Sequence, residues 1–273
     1  MTASSRTLVR VASPANSIRV ERGDVDSLST GRVALIAQYS AGAVQSRSLS
    51  EYAFALNRAG FSTVIISTTE GDTPLEFPHG LPDDTVVLRR KNIGYDFGSW
   101  ANALDFLPHV RNTQAVLLTN DSLLGPFAPI DDLLQWACTP GPDISSLTRS
   151  FQIRPHHQSY FLCFHGGILN DRPWRRFFGN IRTEADKESI VMRYEIELSR
   201  FAFQEAYSME AYVKDHQIEP HGTNPTTEAW RALLAAGVPF IKRTLLTHPS
   251  LSDQIPLVQA AVSSQYRTNI NLW

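Results

Sequence analysis

Up to about residue 165, apolar residues come in short uninterrupted runs, and each run stops at polar residues. Arg32-Val33-Ala34-Leu35-Ile36-Ala37-Gln38-Tyr39 and Phe61-Ser62-Thr63-Val64-Ile65-Ile66-Ser67 have the length and branched content of buried strands. Between them Leu49, Tyr52, Ala53, Leu56 and Ala59 recur at helical spacing, with Gly60 as a natural stop. This β-α-β unit predicts a parallel pair joined by a right-handed crossover. A third strand is expected at Thr85–Leu88, after a Pro/Gly/Asp loop from Gly71 to Asp84. Phe97, Trp100, Ala101 and Leu104 form the stripe of the next helix, closed by Pro108. A fourth strand follows at Ala115–Leu118, a short helix at Asp131–Ala137, and strands at Asp143–Thr148 and Ser159–Phe164. In the last third Ile190, Tyr194, Leu198, Phe201 and Ala202 share one face of a long helix, and Thr226–Ala236 is another, stopped by Gly237. The expectation is an α/β protein: a mostly parallel central sheet, helices on both faces and a helical C-terminal third. One domain is expected over residues 31–250, after a flexible leader at 1–30 and before a tail at 251–273.

Composition narrows the function. Hydrophobic residues make up 42% and charged residues 19% of 273 residues, ordinary for a folded enzyme. A net charge of −2 provides no global field for nucleic acid. The two cysteines, Cys138 and Cys163, imply no disulfide framework. No run is long enough to cross a bilayer and no apolar signal core opens the chain, so a cytoplasmic location is expected. There is no Gly-x-Gly-x-x-Gly after the first strand, no Walker loop and no Gly-x-Ser-x-Gly elbow, which argues against dehydrogenases, NTPases and α/β-hydrolases.

Chemistry concentrates where strands end. Thr119-Asn120-Asp121-Ser122 follows the fourth strand, and Arg90-Lys91-Asn92-Ile93-Gly94-Tyr95-Asp96 follows the third. In open α/β sheets, ligands bind beyond the carboxyl ends of the strands. An exposed Asp121 there could hold Mg²⁺ or Mn²⁺ against a diphosphate; the plainer reading is a turn residue before Gly125-Pro126. Asp96 is equally readable as an N-cap of the helix starting near Phe97, and Gly94 as a residue needing positive φ. His156-His157 suggests metal, but neighbours in an extended segment point to opposite faces, so at most one should face a site. Glu195 and Glu197 are either a solvated helix face or the source of a general base.

Taken jointly and in order, these blocks resemble the rhamnan synthesis F family of bacterial polysaccharide glycosyltransferases. The likeness runs from about 31 to 246 through Arg90/Asn92/Gly94/Tyr95-Asp96-Phe97/Trp100, Asn120-Asp121-Ser122 with Gly125-Pro126, His156 with Gln158-Ser159-Tyr160-Phe161, Tyr194-Glu195, and Val238-Pro239-Phe240-Ile241-Lys242. A His-Tyr pair common in that family reads Gln38-Tyr39 here, so no role passes to that His. The resemblance implies a GT-A-like fold and transfer of a sugar, rhamnose or another deoxysugar, from a nucleotide donor to a growing cell-surface polysaccharide. It implies donor contacts at Tyr39, Arg90, Asn92, Gly94, Asp96, Asn120, Asp121 and Ser122, with metal on Asp121. It implies acceptor contacts at His156, Gln158, Tyr160 and Lys242, and a base at Glu195 in competition with Glu197. A lipid-linked acceptor would bring the enzyme to the inner face of the membrane. The rival class is a non-catalytic nucleotide-sugar or glycan-binding module of a larger assembly.

Overall fold

The structure is a computed structural model that describes residues 18–184, 191–218 and 223–273. Eight strands form the main sheet. They are β1 (Arg19–Arg22), β2 (Arg32–Gln38), β3 (Phe61–Ser67), β4 (Val86–Arg89), β5 (Ala115–Asn120), β7 (Ile144–Ser146), β10 (Phe161–His165) and β11 (Met209–Ala211). The spatial order is β1-β4-β3-β2-β5-β10-β7-β11, and only β1 and β10 run against the rest. Two short antiparallel pairs stand apart: β6 (Leu123–Leu124) with β12 (Ile241–Lys242), and β8 (Arg149–Ser150) with β9 (His156–His157).

The side-chain period of two along β2 separates two cores. Val33, Leu35 and Ala37 face a layer containing α2 (Tyr95–Phe106), α4 (Arg172–Gly179) and α5 (Ile196–Gln204). Ala34 and Ile36 face α1 (Arg47–Arg58) and α3 (Asp131–Ala137). With both faces covered, the central strands are apolar throughout, which is why they read so clearly in the sequence. The fold is thus the expected α/β one, with a mostly parallel sheet and helices on both faces.

The ends depart from expectation. Part of the expected leader is ordered: β1 pairs with β4, and Glu21 binds Arg89 at 3.0 Å and accepts a hydrogen bond from Leu75 N at 2.6 Å. Two of its four residues are exposed, so no apolar alternation marked it. The expected tail folds as α8 (Ile255–Tyr266) and buries Val258, Val262 and Ile270 in a third core with Leu124, Phe127, Trp230 and Ile241. The helix expected over Thr226–Ala236 is only α6 (Trp230–Ala235), because Asn224 Oδ1 takes the N–H and hydroxyl of Thr226 and shapes a turn first. The remaining short helix, α7 (Thr244–Thr247), follows β12. The long helix is π-helical at Val191–Glu195 and α-helical only as α5, while Ile190 lies outside the described residues.

Gly125 joins the third core to the sheet. Its φ is +118°, and a Cβ there would stand 2.5 Å from the Pro239 carbonyl, which also accepts from Phe127 N at 2.9 Å. Gly125→Ala should therefore cost about 2–3 kcal/mol through backbone strain and displacement of the 239–242 segment. Gly141→Ala, where a Cβ meets nothing within 4 Å, should change stability by less than about 0.5 kcal/mol. Urea unfolding of both variants checks this, and equal midpoints would refute it.

Candidate active site

The strand order β4-β3-β2-β5 places the point where connections leave in opposite directions between β2 and β5. α1 leaves β2 over one face, and α2 enters β5 over the other. A crevice outside the carboxyl ends is built at such a point. Asp121 sits there, immediately after β5. Its N–H bonds Ala37 O at 3.1 Å, and its Oδ2 accepts from Tyr39 N at 3.3 Å, so the ends of β2 and β5 are stitched through this residue. The Tyr39 ring itself is 52% exposed at the rim, available to stack on a flat ligand.

Asn120 aligns the neighbouring acid. Its Nδ2 donates to Asp96 Oδ2 at 2.8 Å, and its Oδ1 accepts from the Ser122 N–H and hydroxyl at 3.1 and 2.6 Å. Asp96 lies in the first turn of α2, not at its N-cap: Gly94, at φ +81°, holds the cap position and carries no side chain to bond. The Asp96 carboxylate meets the end of β5 through the Asn120 amide. Asp96 and Asp121 are close enough for Asp96 to raise the Asp121 pKa; burial raises it more, Arg243 opposes both, and the result is pushed up to about 7. The two strand-end turns therefore border one crevice.

Arg243 carries the cation side of this balance, and the sequence reading passed over it in favour of its neighbour Lys242. Its Nε donates to Asp121 O at 2.8 Å, its N–H to Ser122 O at 2.9 Å, and its Nη2 to Ser46 Oγ at 2.9 Å, the N-cap of α1. Burial lowers the guanidinium pKa and Asp121 raises it. The β6–β12 pairing sets Arg243 beside Asp121, a register that two-residue strands do not announce in sequence.

Other expected contacts are placed differently. Arg90 is buried: Nη1 donates to Ser99 Oγ at 3.1 Å and Nη2 to Ile93 O at 2.6 Å, so it shapes the 90–94 turn. Burial lowers its pKa to about 10. Asn92 is exposed on that turn. Gln158 and Tyr160 are buried and share Thr148 Oγ1, at 2.8 Å each, and Gln158 Nε2 reaches Asn224. Lys242 Nζ lies 6.0 Å from the Tyr160 ring centroid. Tyr160 O accepts from Thr119 Oγ1 at 2.7 Å, which ties this segment to the strand carrying Asp121. Glu195 Oε1 accepts from Ser159 N at 3.0 Å, whereas Glu197 pairs with Arg200 at 3.1 Å. Gln38 turns inward and accepts from Thr69 Oγ1 at 3.4 Å. His156 and His157 are both among the residues lining a separate cavity along α5.

No group of three His, Cys, Asp or Glu residues able to hold a metal ion occurs among the described residues. Asp121 and Asp96 lie close enough to interact, and both are hard oxygen donors. That suits a cation such as Mg²⁺ or Mn²⁺, which takes one or two carboxylates and completes its shell with substrate phosphates and water. Burial first, and Asp96 beside it, disfavour charge on Asp121, and a cation would offset both.

An open, mostly parallel sheet with acids at its switch point is the α/β architecture that takes ligands outside the carboxyl ends of its strands. The chain belongs to the rhamnan synthesis protein F family, whose profile matches residues 79–272. It is 28% identical over 197 residues to virulence protein VirA of Vibrio anguillarum (strain ATCC 68554 / 775), covering 59% of this chain and 62% of that protein. It is 26% identical over 162 residues to the uncharacterized protein y4gN of Sinorhizobium fredii (strain NBRC 101917 / NGR234), covering 55% and 42%. The chain thus matches less than two thirds of the length of these relatives. Among solved structures it is similar to the mannosyltransferase PcManGT from Pyrobaculum calidifontis in complex with GDP-Man and Mn²⁺, at 14% identity and TM-score 0.37, covering 88% of this chain and 83% of that one. The glycosyltransferase GlyE of Streptococcus pneumoniae TIGR4 aligns at 12% identity and TM-score 0.33, covering 84% and 64%. At those scores the likeness is coarse, and nothing about the site rests on it.

The raised Asp121 pKa has a sign. The folded protein keeps this proton to about pH 7, while the unfolded chain loses it near 3.8. Between those values the native state binds more protons, so this contribution to stability is full below about pH 4 and is lost as pH rises to about 7. Asp121→Asn removes the titration. Its stability relative to the parent should grow across that window and level off above it. Urea unfolding between pH 4 and 8 measures this, and parallel profiles for the two proteins would contradict it.

Proposed function

We propose that this protein is a glycosyltransferase that moves a sugar, rhamnose or another deoxysugar, from a nucleotide donor to a growing cell-surface polysaccharide. The observation that carries the reading is the convergence of Asp121 and Asp96 at the switch point, with Asn120 fixing one and Arg243 balancing the other. Membership of the rhamnan synthesis protein F family supports the substrate class.

In this reading the donor lies across the carboxyl ends of β2 and β5. Tyr39 stacks on its base, and Ser122 with the 92–96 turn contacts its ribose and phosphates. A divalent cation held by Asp121 with Asp96 would offset the charge that develops on the departing diphosphate. Arg243, fixed beside Asp121, adds a permanent positive charge to the same region. Glu195 is the base. The Ser159 N–H holds one of its oxygens, which orients the other to take the proton of the acceptor hydroxyl. For a β-linked donor and an α-linked product the anomeric centre inverts in a single displacement. Lys242 and His156 are acceptor contacts. Gln158 and Tyr160 support them from below, through Thr148. The enzyme acts in the cytoplasm and meets the membrane when its acceptor is lipid-linked. No helix among the described residues is long and apolar enough to cross one.

Replacement separates the roles. Asp121→Ala should abolish transfer while leaving the fold intact, because this carboxylate ends a strand and adds little to the cores. Glu195→Gln should cut turnover by about 10²- to 10⁴-fold and leave donor affinity nearly unchanged, since a base touches the acceptor. Glu197→Gln, whose partner is the exposed Arg200, should cost far less. Steady-state kinetics with donor and acceptor varied in turn measure all three. A larger loss at Glu197, or near-normal turnover in Asp121→Ala, would overturn the assignment; binding without turnover for every acceptor would favour a non-catalytic module.

A further inference from the structure

Along α5 lies a cavity of about 540 Å³ that the donor site leaves unused. It is bordered by α5, the β8–β9 pair and the start of β11, and Ile196, the residue after Glu195, is among its lining residues. The stretch His156-His157 lines its other side, two and three residues before the Ser159 whose N–H holds Glu195. The cavity thus lies along α5, whose first residue follows the proposed base in the chain, with Glu197 as its own acid.

The charge of the lining is one-sided. Arg149, Arg154 and Arg200 face Glu197 as the one acid among the lining residues. Arg200 is paired with Glu197, and Arg149 with Asp215 at 3.1 Å while lying over the Phe151 ring at 5.2 Å. Arg154 has no ion pair among the described residues. His157 adds no charge: it is buried, with Nδ1 2.6 Å from Ser146 Oγ, and burial with Arg149 and His156 pushes its pKa down to about 3, so it stays neutral. A wall of the same cavity is aromatic and open, with Phe203 84% exposed. An unpaired guanidinium recognises phosphate oxygens in fork geometry, and an exposed ring covers a sugar face or an apolar chain.

We propose that this cavity binds a phosphate group carried by the acceptor, with Arg154 as its principal contact and Arg149 beside it. The assignment rests on the glycosyltransferase reading for the word acceptor, but the binding event does not. The phosphate could belong to the glycan or to an apolar carrier that anchors it, and these two sources present different neighbours to Phe203.

Calorimetric titration separates the outcomes, with glucose 1-phosphate as the sugar-borne probe and geranyl diphosphate as the carrier-borne one. At least one should bind the parent protein. Arg154→Ala, at an exposed side chain that no packing depends on, should weaken that binding roughly tenfold or more. Asp121→Ala should leave it unchanged, because the donor crevice is a different site. Preference for geranyl diphosphate, reduced by Phe203→Ser, identifies an apolar carrier; preference for glucose 1-phosphate identifies a glycan phosphate. Failure of both probes to bind, indifference to Arg154→Ala, or loss in Asp121→Ala would overturn the proposal. If the probes bind as expected but no nucleotide sugar is turned over, the cavity stands and the transferase reading falls.

Discussion

The site depends on how the end of β5 is held. Asp121 is tied to β2 by its own N–H and by the Tyr39 N–H on its carboxylate, and to the C-terminal segment by Arg243 on its carbonyl. Three parts of the chain, separated by 82 and 122 residues, meet on one amino acid. Placing a carboxylate in that crowded position costs desolvation, which shows as a pKa near 7, and Arg243 lowers the cost without removing it. A site that retains this strain is prepared to gain from a cation, since the charge it lacks is the charge a metal brings.

Buried arginines do the long-range positioning around that residue. Arg89 donates to the carbonyls of Thr69, Gly71 and Thr73 and pairs with Glu21, so the edge strand β1 fixes the 69–76 loop beside the crevice. Arg90 does the same for the 90–94 turn through Ile93 O and Ser99. A guanidinium suits this work because its five donors can satisfy several loop carbonyls at once. Arg90, expected as a donor contact, also shapes the turn that presents Asp96.

What was legible followed from burial. Phe61–Ser67 and Asp131–Ala137 fall where the apolar runs and helical spacing put them, since strands buried on both faces leave uninterrupted apolar runs. The strand-end motifs at Asn120-Asp121 and Asn92–Asp96 pointed to one crevice through the logic of parallel sheets. The rest lacked periodicity. β6 and β12 have two residues each, β1 has two exposed positions of four, and α8 buries only Val258 and Val262 of its twelve residues. Arg243 could have been noticed as the next residue after Lys242, but its distance in sequence from Asp121 hides the contact. The π-helical turn ending at Glu195 could not be read, because the spacing of Tyr194 and Leu198 fits an unbroken helix equally well.

The central claim is that the β2–β5 crevice holds a nucleotide sugar through a cation on Asp121. Thermal unfolding with a panel of nucleotide sugars, with and without Mn²⁺, tests it directly. A ligand at about a hundred times its Kd adds about 2.7 kcal/mol to native stability, which is roughly 5 °C or more for a domain of this size. The account predicts one donor that raises the melting temperature by that order only when Mn²⁺ is present, and no such shift in Asp121→Ala. A panel with no shift at all, or a shift equal without Mn²⁺ and in Asp121→Ala, would contradict it.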